Sequence, residues 1–472
     1  MERLISEGVR SLARRLGTGE ISSRELVDAC LARIDAVNGR LGAVVALRAD
    51  EARREAEAAD RARSRGESSG ALHGLPMTIK DSYDTRGLVS TWGTPGRAGF
   101  VPEADATVVA RLRAAGAILL GKTNTPELTL SFDTTNPVYG ATHNPYDLSR
   151  TPGGSSGGAA AIVAAGGSPF DVGSDTGGSV RQPSHFCGVA GLKPTSGRIP
   201  RSGHAIGPGG PLESLTQPGP LARRVEDLGL LLGILAGPDP LDPEVVPVPV
   251  GDPARVDPGG LRVALMTGNG IADPDPEIAA AVRAAATVLE KAGARVEEDV
   301  PPGIEETLAI FGGLLLYDGG AWIRAVLERA GTSVEESSLA AMLDRGPGSD
   351  RVDVGPLEVA RLEEQARLFE AWERFRIRML GFMSRYDLVL SPPCARVASD
   401  PTRRALEIGI FSYTMTWNLT GWPAAVVRAG TSPEGMPIGV QLVARPWHEE
   451  VALRAAAAVE EELGGWRPPA LE

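Results

Sequence analysis

Three observations predict an α/β fold for this 472-residue chain. An amphipathic stretch from Ala106 to Ala115 is followed by Gly116 and the apolar run Ala117-Ile118-Leu119-Leu120, a helix–turn–strand unit. The rhythm returns later as a strand (Leu261 to Met266), a helix (Pro276 to Lys291) and a strand (Ala294 to Asp299). Short apolar runs at Leu75 to Ile79 and Asp387 to Leu390 sit among helical stretches, as buried strands do.

In chain order, the first clear element is a helix over 22–37. Ser22 and Glu25 fit a capping box, in which each side chain satisfies the other residue's backbone N–H. Leu26, Val27, Cys30, Leu31, Ile34 and Val37 then form one apolar stripe. A charged, Ala-rich helix follows over 50–65, and the strand from Leu75 runs up to Lys80. Residues 157–167 are small and apolar, which predicts a helix packed tightly in a core. The span 188–211 holds seven glycines and four prolines and reads as a surface loop near the site. Seven prolines between 237 and 260 exclude a helix or central strand there, so that segment reads as a connector. Residues 303–385 read as largely helical, and an Ala/Glu helix over 449–463 closes the pattern.

The net charge of −12 argues against a protein that grips nucleic acid unaided, because phosphate contacts need a basic surface. Cys30, Cys187 and Cys394 lie far apart, without the spacing of a zinc site or a disulfide framework, and read as buried thiols. No secretory h-region opens the sequence, and the longest low-polarity stretch (Ala159 to Pro169) is shorter than the roughly 18 residues of a membrane span. A cytoplasmic enzyme without metal or cofactor is the expectation. One motif is a decoy. Gly116 to Thr123 spells the phosphate-binding G-x-x-x-x-G-K-[ST], but its middle residues are strand-like, and Asn124-Thr125-Pro126 is a poor helix continuation after Lys122.

The chemistry concentrates in two glycine turns and one lysine. Asp175-Thr176-Gly177-Gly178-Ser179 puts the backbone N–H groups of Thr176, Gly177, Gly178 and Ser179 where glycine permits unusual dihedrals. Such a nest suits a developing oxyanion, for which one lost donor costs about 2.7–4 kcal/mol of barrier. On spacing alone Ser179 is either a nucleophile or part of an ordinary tight turn. Ser155 and Ser156 occupy the second turn, Gly153 to Gly158. Ser156 reads as the cap of the following helix, whereas Ser155 could relay a proton, since a hydroxyl both donates and accepts. Lys80 ends an apolar strand. It serves as a base only if desolvation lowers its pKa, and is otherwise a charged strand end. Asp175 and Arg181 flank Ser179 and could pair to hold its turn. Gly153 to Gly157 also spells Gly-x-Ser-x-Gly, but no good strand precedes it, and none of the five histidines completes a serine–histidine arrangement.

Taken together, these residues resemble the amidase signature family. The resemblance is carried by the core from Gly153 to Thr195, the lysine segment 74–81, and the late Thr420-Gly421-Trp422-Pro423-Ala424 and Pro437 to Leu442 segments. It implies one α/β/α domain over 1–472: a mixed twisted sheet covered by helices on both faces. Within it fall N-terminal helices (1–70), a catalytic core (71–236), the connector (237–260) and a helical and C-terminal sheet part (261–472). It further implies Ser179 as nucleophile, Ser155 as a bridging serine after a cis peptide, and Lys80 as base, acting through an acyl-enzyme.

The expected activity is hydrolysis of C–N bonds in amides or carbamates (urethanes) bearing hydrophobic or aryl groups. The alternatives are a glutamine amidotransferase A-type subunit, or an inactive binding homologue. Leu128, Leu130, Phe132 and Trp417 are the expected substrate-binding residues, from a mainly apolar and aromatic set. The partner is then a small-molecule amide or carbamate, with no direct nucleic-acid or membrane contact and a homodimer in keeping with the family.

Overall fold

A computed structural model of the chain describes residues 2–68, 70–210, 212–344, 356–400 and 407–471. Thirteen strands are formed among these residues: β1 (Val44–Leu47), β2 (Pro76–Lys80), β3 (Ile118–Thr123), β4 (Thr135–Asn136), β5 (Gly140–Ala141), β6 (Phe170–Asp175), β7 (Ala190–Lys193), β8 (Gln217–Ala222), β9 (Arg262–Leu265), β10 (Arg295–Glu298), β11 (Leu388–Ser391), β12 (Ala424–Thr431) and β13 (Pro437–Ala444). Eight of them build one mixed sheet in the order β10-β9-β11-β13-β12-β7-β8-β6. The β10–β9–β11 edge is parallel, and the remaining pairs are antiparallel. The sheet therefore draws strands from both sides of the proline-rich connector. Helices cover both faces, and the fold is the α/β one expected.

A smaller sheet, β1-β3-β2, carries the lysine strand. Strand β2 runs parallel to β3, with Thr78 opposite Gly121, Ile79 opposite Lys122 and Lys80 opposite Thr123. Alternation along a strand then puts Thr78, Lys80 and Thr123 on one face of this ladder and Lys122 on the other. Strand β2 packs against β6 of the large sheet, which brings Lys80 to the glycine turns.

Most elements stand where the sequence puts them. Ser22 makes both halves of the capping box on the helix Ser23–Leu41, whose apolar stripe is buried. The helices Pro276–Lys291 and Glu449–Leu463 keep the expected bounds. The connector forms only two short 3₁₀ turns, Pro253–Arg255 and Pro258–Gly260. The P-loop decoy dissolves, because Ile118–Thr123 is a strand with Lys122 inside it and so leaves neither a phosphate loop nor a helix start. One expectation fails. The described part of the 188–211 span, residues 188–210, is mostly buried. It carries β7 between β8 and β12, and its Arg198 and Arg201 are tied to buried Glu449 and Asp242. Among the described residues no single helix is long and apolar enough to cross a membrane, and no cluster of His, Cys, Asp or Glu could hold a metal ion. All three cysteines are buried.

Candidate active site

Glycine is required in both turns, because their surroundings approach the backbone closely; a Cβ on Gly173 would stand 2.5 Å from Ser156 Oγ of the other turn. A Cβ on Gly154 would stand 2.6 Å from the backbone N and O of Asp133. Gly178 has φ +133°, and a Cβ there would lie 2.2 Å from Thr414 Oγ1. The peptide between Gly154 and Ser155 is cis. Ser156 N–H donates to the Ser179 carbonyl at 3.1 Å, locking one serine turn to the other.

Lys80 ends in this junction, fully buried. Its Nζ lies 2.7 Å from Ser155 Oγ, 2.9 Å from Ser174 Oγ and 3.0 Å from Ser156 Oγ. Burial pushes its pKa well below the ordinary lysine value, against the opposing pull of Asp171 and Asp175. All three hydroxyls can accept from the amine, and a neutral amine, with two N–H donors and one lone pair, can also accept from one of them. Ser156 and Ser174 were not expected as lysine partners. Ser156 precedes the helix Gly157–Ala164 but makes no side-chain cap, since its hydroxyl faces the amine and the Ser174 backbone instead. The Gly-Ser-Asp end of β6 was the available signal for Ser174, but a single serine there could not be told from a turn residue.

Ser179 is buried, with 5% of its surface exposed. Among the described residues no hydrogen bond is made to its Oγ. The turn before it is held from three sides. Thr414 Oγ1 donates to the Gly177 carbonyl at 2.7 Å, Thr176 and Thr216 hydroxyls meet at 2.8 Å, and Asp175 Oδ1 accepts Gly178 N–H at 2.9 Å. That last bond corrects the expected oxyanion donors. Gly178 N–H is turned inward to a carboxylate and is not free to receive an oxyanion.

Asp175 and Arg181 are both fully buried and paired twice, at 2.9 and 2.8 Å. Arg181 also donates to Asn418 Oδ1 and Gln441 Oε1 at 2.6 and 2.8 Å, and Asn418 Nδ2 donates to Asp175 Oδ1 at 2.9 Å. The arginine opposes burial and holds the Asp175 carboxyl below the usual range. With its guanidinium committed in this way, Arg181 is a scaffold for the turn and is not available to a substrate.

The expected substrate-binding residues separate. Phe132 reaches the turn: a Cβ on Gly177 would lie 3.2 Å from its Cζ and 2.9 Å from Phe311 Cζ. Phe132 also stacks on Phe411, with centroids 4.2 Å apart. Leu130 is half-buried and packs against both hydrophobic clusters. Leu128 is a correction, because it is buried in a separate cluster with Ile323, Val326 and Leu327, its backbone turned to φ 48°. Trp417 is another, since it is fully buried and stacked on Trp422 in the core. Phe311 was missed: it lies in the helix Thr307–Leu316, 132 residues along the chain from Ser179, and nothing local tied it to the turn.

A family model described as Amidase matches residues 25–453. The chain belongs to the amidase signature family. Among curated relatives, the A-type subunit of the glutamyl-tRNA(Gln) amidotransferase from Anaeromyxobacter sp. (strain K) is 38% identical over 97% of this chain and 96% of its own length. Among solved structures, a 6-aminohexanoate cyclic dimer hydrolase complexed with substrate superposes with a TM-score of 0.87 at 31% identity, covering 99% of both chains. A fatty acid amide hydrolase gives 0.86 at 26% identity, covering 98% of this chain and 86% of that one. The chain is accordingly an amidase-family enzyme of the C–N hydrolase type.

Proposed function

We propose that the protein hydrolyses amides or carbamates with apolar or aryl substituents by a serine–serine–lysine relay. Neutral Lys80 takes a proton from Ser155 as Ser155 takes one from Ser179, and Ser179 Oγ attacks the carbonyl carbon. The N–H groups of Thr176, Gly177 and Ser179 receive the oxyanion. Its collapse expels the amine, protonated through Ser155, and water then cleaves the acyl-enzyme by the same route. The observation that carries this reading is the buried Lys80 amine among hydroxyls, with Ser155 at 2.7 Å. Phe132 and Phe311 against Gly177 support the apolar substituent.

The curated relatives favour a second reading over this one: the A-type subunit of a glutamine-dependent amidotransferase. Both readings use the same relay and differ in the acyl pocket and the partner. Kinetics on a panel of anilides, primary amides, carbamates and glutamine, run on the chain purified alone, separate them. The first reading expects turnover of the anilides or carbamates by the isolated chain. Hydrolysis of glutamine alone, stimulated by a co-purifying subunit, would replace it with the second. Failure of a fluorophosphonate to label Ser179 would point instead to an inactive binding homologue.

A further inference from the structure

Asp171 stands at the start of β6, fully buried, and the relay as written does not use it. Its Oδ2 accepts Thr78 Oγ1 at 2.6 Å and Thr123 Oγ1 at 3.0 Å. Thr78 and Thr123 bracket Lys80, one two residues before it on β2, the other directly opposite it on β3. The carboxylate therefore lies on the lysine's own face of the ladder. The Val172 N–H adds a contact to the carboxylate, yet Oδ1 completes no hydrogen bond among the described residues. A buried carboxyl with one oxygen unsatisfied is costly to keep.

The surroundings limit what else could act on it. From β2 it faces Lys80, and from the following loop Tyr83, whose hydroxyl is committed to the Gly173 carbonyl and whose ring lies against His204. From β3 comes Lys122, already paired with Asp81 and influenced by Asp84, and on β6 itself Asp175 is paired with Arg181. His204 is held neutral, its pKa pushed down to about 3 by burial. Strand β8 and the helix Gly157–Ala164, which pack on β6, bring no titratable side chain. Lys80 is thus the one base in the relay that the charge on Asp171 can tune.

We propose that Asp171 is a positioning residue for this lysine: anchored through Thr78 and Thr123, its carboxylate sets the pH at which Lys80 gives up its proton. The inference rests on the reading of Lys80 as the relay's base. An ionised Asp171 stabilises the ammonium form and so holds the active, neutral amine back to higher pH. Burial itself raises the Asp171 pKa to about 7, against the pull of Thr78, Thr123 and Lys80, so its own charge comes and goes near neutrality.

The test is the pH profile of kcat/KM for parent and Asp171→Asn with one activated anilide or, failing turnover, the rate of fluorophosphonate labelling. The acidic limb of Asp171→Asn is expected to move to lower pH with the plateau kept. At pH 7 the variant then holds about twofold or more of the parent's fraction of plateau activity. A second readout needs no substrate. The native carboxyl keeps a proton that the unfolded chain releases between pH 3.8 and about 7, so ionising it weakens the native state as pH rises through that window. The Tm gain of Asp171→Asn over the parent is expected to be larger at pH 8 than at pH 5. If Asp171→Asn does not fold, Thr78→Val removes one anchor of the ionised form and moves the limb the same way by less. A limb that neither variant moves overturns this inference alone. A parent profile with no such limb removes the lysine reading, and this inference with it.

Discussion

Lys80 and Lys122 are neighbours on parallel strands, both fully buried, yet the fold treats them in opposite ways. Lys122 meets a carboxylate, Asp81, at 3.5 Å, together with the Tyr83 carbonyl and the hydroxyls of Thr85 and Ser90 at 3.0 and 3.1 Å. Lys80, on the other face of the ladder, meets three hydroxyls and, among the described residues, no carboxylate within bonding distance. Burial lowers the pKa of each, but Lys122 has a direct counter-charge to resist it, and Lys80 has only more distant ones. The first arrangement anchors a loop, and the second is the one that the proposed relay needs of its base. What separates a structural lysine from a chemical one here is the partner set, decided by which face of one strand pair each occupies.

The largest expected effect lies at the end of the relay. Ser179→Ala should lower amide hydrolysis by on the order of 10⁴-fold or more and abolish fluorophosphonate labelling, with Tm unchanged within a few degrees. Lys80→Ala should lower kcat by roughly 10²–10⁴-fold, as loss of a general base does. The matching change on the other face, Lys122→Met, should instead act on stability. It leaves Asp81 buried and unpaired and should cost about 3–5 kcal/mol in denaturant melts, while the folded fraction keeps its kcat. Equal losses of kcat in the two variants would erase the distinction between the lysines. A smaller effect is expected at the wall. Phe132→Ala should raise KM for an aryl anilide by roughly tenfold and change that for a small primary amide far less. A uniform loss over all substrates would make Phe132 a packing residue only.

Much of this was legible beforehand because the signals were local. The capping box at Ser22, the helix–turn–strand unit before Lys122 and the proline-dense connector each act within a few residues, and each stands in the fold. The lysine and the two serines were legible as a set only through their resemblance to a known family. Spacing alone left Ser179 a turn residue and Lys80 a strand end. What escaped was long-range. Phe311 reaches Gly177 from a distant helix, and Trp417 and Leu128 turn into cores because Trp422 and the helix Ala321–Arg329 claim them. Gly178 N–H was misassigned for a geometric reason. Four consecutive N–H groups in a turn do not point one way, and Asp175 captures one. The mostly buried residues 188–210 show that glycine and proline mark irregular backbone, and not exposure, when arginines on that backbone find buried acids.

The central claim is that Lys80 works as an uncharged amine. The most direct measurement is the rate at which a fluorophosphonate labels Ser179 as a function of pH, in the parent and in Lys80→Ala. The parent rate should climb along one limb that lies well below the ordinary lysine pKa, and the variant should be slower by orders of magnitude with that limb gone. Equal rates in the two proteins, or a parent limb at the ordinary lysine value, would contradict it.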